Sequence, residues 1–372
     1  MRAITIVLTI IFGGLWATDS YAQEPQFSNF YATHLYTNPA FSGRSDYQYR
    51  ITADLRRQWQ KVGSFSTAFV SADYAFSKFG VGFTAYSDEA GSTPLKTRHA
   101  SMSVSYGTNI SQHADLVIGF QGSYYHQNLG EDYIWVDDYL NQQTDISATN
   151  QSINNQYFNL STGLLFIHRT FWLGLSLKDF LPNPGLNNYS PYGLISSSRT
   201  ADGYYGRISA HGSYYRYILP NQLFFSSYFN YRSRASVRQW ESGISLAYRP
   251  QYGQKPADIV LGLGGGYRGL VQTFEGLSSR DAVILNASLS WPNGISNKSS
   301  PLWHHIFQLV YSYDMTVSRL STTGGAHELT LTLKFSDFRS GSSWPETMKA
   351  RRHIPDPRDC KGGFVNNVYM PR

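Results

Sequence analysis

Few places in this 372-residue chain carry side chains of catalytic or cofactor-binding type at suggestive spacing. The run Gly264-Gly265-Gly266-Tyr267-Arg268-Gly269 has the glycine spacing of a dinucleotide-binding loop. That loop needs a helix N-terminus after it to meet the pyrophosphate. Here a turn and another alternating stretch follow, so the glycines read as a bend or a close backbone approach within a strand. His327-Glu328 opens a strand and lacks a second His four residues on, so it is not a metalloprotease helix. His304-His305 places neighbouring rings on opposite faces of a strand, which disfavours a shared metal. No Gly-x-Ser-x-Gly elbow is present. Asp314 and His327 fall on neighbouring strands and, with a serine nearby, would make a hydrolase triad. A hydrogen bond or ion pair that braces a wall is the expectation set against it. Neither a cofactor nor an enzymatic activity is expected.

These residues all sit in stretches that alternate. Leu329, Leu331, Leu333 and Phe335 share one face, while Thr330, Thr332 and Lys334 share the other. Val283, Leu285, Ala287, Leu289 and Trp291 oppose Ile284, Asn286, Ser288 and Ser290 in the same way. A period of two marks strands with unlike faces. The polar face is rich in Ser, Thr, Asn and Gly rather than Lys and Glu, as a water-facing lumen would be. Aromatics gather near strand ends, as at an interfacial girdle. The pattern predicts an all-β protein, a transmembrane antiparallel barrel of about fourteen strands. They are expected near 47–59, 66–76, 79–88, 96–108, 114–128, 156–169, 171–180, 202–219, 222–233, 236–249, 257–269, 281–291, 303–320 and 326–338. An even strand number puts both termini in the periplasm, with short connections after even strands and longer ones after odd strands. Ser77-Lys78, Asn109–His113, Thr170 and Pro220-Asn221 fit the short class, and 130–155, 181–201 and 270–280 the long class. Only 292–302 is long for its side.

The N-terminus reads as an export signal over residues 1–22: Arg2, an apolar run from Ile4 to Trp16, then Ser20-Tyr21-Ala22. The apolar run is short of the roughly 20 residues a membrane helix needs. Aromatic residues at 16% are high and charged residues at 15% low for a soluble domain, which suits a barrel. A single cysteine, Cys360, excludes an intramolecular disulfide framework. The net charge of +6 lies largely in the tail 339–372, where Arg351 and Arg352 stand among seven basic and three acidic residues. No interleaved basic and aromatic pattern suggests nucleic acid. Residues 23–46, with Asn38-Pro39, are too long for a lead-in and resist strand pairing. They are expected in the lumen as a plug or at the periplasmic mouth. The basic tail is expected to dock on an acidic partner surface.

Arg56, Arg57, Asp73, Arg268, Asp281, Asp314 and Glu328 fall within strands or at their edges. An Arg turned to lipid near the midplane would cost roughly 2–4 kcal/mol. All seven are therefore expected to face the lumen and pair, bracing the wall or holding the N-terminal segment.

Several short motifs occur in order along the chain. They are Pro25-Gln26-Phe27-Ser28, Tyr36-Thr37-Asn38-Pro39-Ala40-Phe41-Ser42-Gly43, Arg56-Arg57-Gln58-Trp59 leading to Ala72-Asp73, and Gly80 through Asp88. Gly266-Tyr267-Arg268 with Asp281 through Leu285, and Tyr311-Ser312-Tyr313-Asp314 with His327-Glu328-Leu329, complete the series. Their succession, covering about 25 to 335, resembles the PorP/SprF proteins of the type IX secretion system. The resemblance implies an outer-membrane barrel of Bacteroidota, FadL-like in build. It also implies support for secretion or surface attachment of cargo such as gliding adhesins, with contacts to periplasmic ring components and a peptidoglycan-anchoring lipoprotein. The tail departs from the family, since Cys360 is followed by Lys361-Gly362-Gly363 rather than by Pro. A channel for small hydrophobic solutes is the alternative.

Overall fold

The computed structural model describes residues 25–45, 47–61, 65–90, 95–111, 114–129, 154–181, 206–219, 222–234, 237–252, 255–256, 259–270, 280–293, 303–318 and 321–337. The alternation becomes strands β1 (Tyr49–Gln58), β2 (Phe65–Phe76), β3 (Phe79–Ala90), β4 (Leu95–Ser111), β5 (Ala114–Leu129), β6 (Asn154–His168) and β7 (Phe171–Lys178). They continue as β8 (Arg207–Leu219), β9 (Leu223–Arg234) and β10 (Val237–Tyr248). A two-residue pair, β11 (Gln251–Tyr252) and β12 (Lys255–Pro256), forms a separate hairpin. The ring resumes with β13 (Val260–Leu270), β14 (Arg280–Asn293), β15 (Trp303–Thr316) and β16 (Ala326–Asp337). Fourteen of these strands form one closed barrel in chain order, and β16 pairs with β1 from Tyr49 opposite Phe335 to Gln58 opposite Ala326. Closure leaves no sheet edge to be hydrogen-bonded by solvent, which a bilayer cannot supply. The fourteen strands expected from the sequence are the fourteen strands of the ring.

The two faces are inverted relative to a soluble sheet. Met102 is 73% exposed and Leu263 70%, on the outside, whereas Thr330, Ser312 and Ser226 are fully buried on the inside. Apolar residues outward and hydroxyls inward is the distribution a lipid-embedded wall requires.

Connection lengths depart from the expected parity at two further places. Only positions 235–236 separate β9 from β10, at the end of the barrel where longer connections were expected. The passage from β10 to β13, at the other end, is long and holds the β11–β12 hairpin. That hairpin pairs its own main chain (Gln251 with Pro256, Tyr252 with Lys255), so length at this end does not leave all of the main chain unpaired.

Of the two placements open to the N-terminal segment, the structure shows the lumen. Residues 27–45 are buried throughout. Phe30, Tyr31, Leu35, Ala40 and Phe41 pack on the inward Val117, Leu165, Ile167, Trp172 and Tyr228. Phe27 and Tyr36 pack on Phe69, Tyr86 and Tyr125. A barrel of this width cannot meet itself across its axis with hydroxyl-sized side chains, and this short segment supplies the missing apolar core.

Candidate functional site: the occupied barrel lumen

The segment is anchored first at the end of the barrel remote from the start of β1. Period two turns Arg56 of β1, Arg268 of β13, Asp314 of β15 and Glu328 of β16 into the lumen, all within a few residues of their strand ends. Glu328 Oε2 and Oε1 accept the main-chain N–H groups of Ser28 and Asn29, each at 2.8 Å. Arg56 donates to Glu328 at 2.7 Å and to Asp314 at 2.8 Å. Arg268 donates to Asp281 at 2.6 Å and to Asp314 at 2.8 Å, and lies 3.9 Å from Glu241. The Ser28 hydroxyl completes the cluster, donating to Asp314 at 2.6 Å and accepting from both guanidinium groups at 2.9 and 3.0 Å. Buried charges are tolerated only when paired and fully hydrogen-bonded. Here the N-terminal segment supplies part of that satisfaction.

Tyr31 lies beside the cluster. Burial, reinforced by the nearby Glu328 and Glu241 carboxylates, pushes its hydroxyl above the usual tyrosine range. It therefore stays protonated and donates to Asn29 Oδ1 at 3.2 Å.

A second anchor holds Tyr36. Lys178, the last residue of β7, and Arg207, the first of β8, donate to the Tyr36 carbonyl at 2.8 and 3.2 Å. Both cations also lie over the Tyr36 ring, 4.6 and 4.7 Å from its centroid, which adds cation–π attraction. The chain then descends as a helical turn, His34–Thr37, and a 3₁₀ turn, Pro39–Phe41. Asn38 joins them: its Oδ1 accepts the Ala40 N–H at 2.9 Å, and its Nδ2 donates to the Leu164 and Leu175 carbonyls at 3.0 and 3.1 Å. Pro39 follows at the first position of the turn, where no N–H is needed.

The wall is thinned to receive this knot. A Cβ on Gly119 would meet Ala40 N at 2.3 Å, and one on Gly163 would overlap the Asn38 side-chain oxygen. Nearer the start of β1, Asp73 accepts the Gly43 N–H at 2.8 Å and pairs with Arg50 at the same distance. Arg44 reaches the Lys78 carbonyl in the β2–β3 turn.

Most of the candidates named from the sequence meet in this lumen: Asn38, Pro39, Arg56, Asp73, Arg268, Asp281, Asp314 and Glu328. Two do not. Arg57 is exposed on the outward face, flanked by Leu55 at 59% exposure, because it adjoins the inward Arg56 on a strand. His327 likewise faces outward, opposite Tyr313, with Tyr311 Oη 2.8 Å from its Nδ1. Asp314 points inward, so it cannot join His327 in a triad. Asp281 enters by a different route. The register breaks between Arg268 and Gly269, opposite Ala282 and Arg280, and the bulge re-aims Asp281 towards Arg268.

Arg351 and Arg352 lie outside the described residues. The glycine run Gly264–Gly269 lies wholly within β13. Among the described residues no group of three or more His, Cys, Asp or Glu side chains is placed to hold a metal. Arg50, Asp54, Lys178, Arg207 and Glu241 were not singled out from the sequence. Arg50 and Asp54 share the parity of Arg56 and could have been.

The chain is similar in structure to several solved proteins. A Pseudomonas aeruginosa FadL homologue shares 10% identity over 82% of this chain and 93% of its own, with a TM-score of 0.43. The Ralstonia pickettii toluene transporter TbuX shares 11% over 82% and 92%, at 0.44. The P. putida toluene transporter TodX shares 9% over 87% and 97%, at 0.42. No curated protein matches the sequence. The family model for type IX secretion system membrane proteins PorP/SprF matches residues 19–333, the whole barrel but for its last residues together with the segment that fills it. The chain is therefore an outer-membrane protein of the PorP/SprF family.

Proposed function

We propose that this protein is a plugged, non-enzymatic barrel that serves type IX secretion by holding partners rather than by passing solutes. The observation that carries this reading is the lumen segment. Residues 27–45 are buried from one end of the barrel to near the other and are hydrogen-bonded to inward residues on both sides of the ring. A diffusion channel needs a continuous aqueous or apolar path, and this segment stands in it.

On this reading residues 1–22 are a removable export signal, 23–46 the plug, 47–338 the barrel and 339–372 a periplasmic tail. Family membership supports the membrane and the secretion system as partners. The finer assignments are part of the proposal: a secreted or gliding-adhesin cargo met at the extracellular loops, and ring components with a peptidoglycan-anchoring lipoprotein met by the basic tail. Arg351 and Arg352 are the tail's candidate contacts with an acidic surface.

Planar-bilayer recording on the purified chain tests the reading. Silence, together with cargo or ring proteins recovered from the native membrane, is expected. A steady open pore, or saturable uptake of small apolar solutes, would replace it with the channel. Recovery of ring proteins should fall when 339–372 is deleted, and unchanged recovery would remove the tail from the assignment.

A further inference from the structure

The direction in which residues 25–45 run through the lumen fixes where the chain before them leaves it. One end of the barrel carries the tight connections 77–78, 112–113, 169–170 and 220–222, and the other carries 130–153 and 179–206. Short turns mark the periplasmic end of an outer-membrane barrel and long connections the extracellular end. β1 starts at the periplasmic end, where Tyr49 pairs with Tyr74 close to the 77–78 turn. Gly43 and Arg44 lie at that same end, on Asp73 and on the Lys78 carbonyl. Ser28 and Asn29 lie at the extracellular end, on Glu328 near the start of β16. Pro25 lies there too. Its carbonyl accepts the Tyr36 hydroxyl at 2.6 Å, and that hydroxyl accepts from Arg207, the first residue of β8, at 3.0 Å. The segment therefore runs antiparallel to β1 with its N-terminal end outermost, and Gln26 alone within 25–45 is not fully buried. With an export signal over 1–22 removed, only Gln23 and Glu24 precede Pro25. Two residues reach about 7 Å at full extension. The apolar band of such a wall is about 25 Å tall. Those residues cannot return to the periplasm.

We propose that the barrel carries the start of its own exported chain outward through its lumen, so that the N-terminus is displayed on the cell surface. The two ends of the strand ring stay periplasmic, as an even strand number requires. The displayed group is an α-amino terminus followed by the Gln23 and Glu24 side chains, and a sequence placed between Ala22 and Gln23 is carried out with it. There it meets partners outside the cell, which the ring's own ends do not. This rests on the segment being a plug, and it adds the direction in which the plug is threaded.

The test uses the full chain in the outer membrane of intact cells, with single cysteines in a Cys360→Ser background and a membrane-impermeant maleimide. Lys61→Cys, exposed just beyond the extracellular end of β1, should react on intact cells. Ser77→Cys, exposed in the β2–β3 turn, should react only after the outer membrane is opened. Glu24→Cys should follow Lys61→Cys. In a second variant, a short epitope between Ala22 and Gln23 should bind antibody on intact cells and be stripped by external protease while the ring stays folded. The proposal is overturned if Glu24→Cys follows Ser77→Cys, or if the epitope is reached only in opened cells. It is overturned equally if the two controls react in the reverse order, since the segment then points inward. A barrel silent in the planar bilayer whose Glu24→Cys is reached only in opened cells keeps the plug reading and removes this one.

Discussion

Arg268 shows how much depends on single side chains in this lumen. Its guanidinium meets Asp281, Asp314 and the Ser28 hydroxyl, with Glu241 at 3.9 Å. Removing it leaves buried carboxylates without their cation, a situation that costs roughly 3–5 kcal/mol. Arg268→Ala should therefore lower the unfolding midpoint in detergent by that equivalent, and Arg56→Ala similarly. Arg57→Gln, one residue along but outward, should change stability by no more than about 0.5 kcal/mol. Equal effects of Arg56→Ala and Arg57→Gln would show that the facing of these two residues is misassigned. The pair also marks where the sequence was misread. The cost of lipid exposure argued that both arginines face inward, yet alternation allows only one. Arg57 sits one residue from the end of β1, where an extended side chain reaches the headgroup region and the penalty nearly vanishes.

At the scale of elements, strands were legible because lipid and lumen impose opposite chemistry on alternate residues, as in Leu329–Phe335. Closure, too, followed from reading those faces as lipid and lumen, since a sheet that spans a bilayer cannot leave an edge unpaired. What stayed hidden depends on partners remote in sequence. The bulge that turns Asp281 inward exists only against Arg268 on the neighbouring strand. The grip of Glu328 on Ser28 spans almost the whole chain, and neither residue signals it locally. Lys178 and Arg207 read as lone charges at strand ends until Tyr36 lies against both, and Glu241 does so until Arg268 is placed beside it.

The match between wall and segment can be tested at the glycines. Gly119→Val should expel the 38–43 knot without unravelling the ring, since the Cβ points at Ala40 while Gly119 keeps its ladder position opposite Gly163. Conductance in a planar bilayer should then rise from silence to discrete openings. Gly122→Ala, whose Cβ has only Leu160 at 4.0 Å, should leave the barrel sealed. If both variants stay silent while folded, the glycines are not there to admit the segment.

As a whole molecule the protein is a lipid-facing wall whose centre is made by its own N-terminal chain. The apolar exterior and hydroxyl-lined interior keep it in the membrane, and the family match ties it to type IX secretion. Its lumen depends on where residues 25–45 lie, and one cross-link reports that directly. Ser42 Oγ and Ser103 Oγ are 2.7 Å apart, one on the segment and one on β4. In a Cys360→Ser background, Ser42→Cys with Ser103→Cys should oxidise to a disulfide joining positions 42 and 103 in the folded barrel, identified by mass mapping of the digested protein. Two thiols that stay reduced under oxidant, in a barrel that is folded and heat-modifiable, would place the segment elsewhere and contradict the plugged lumen.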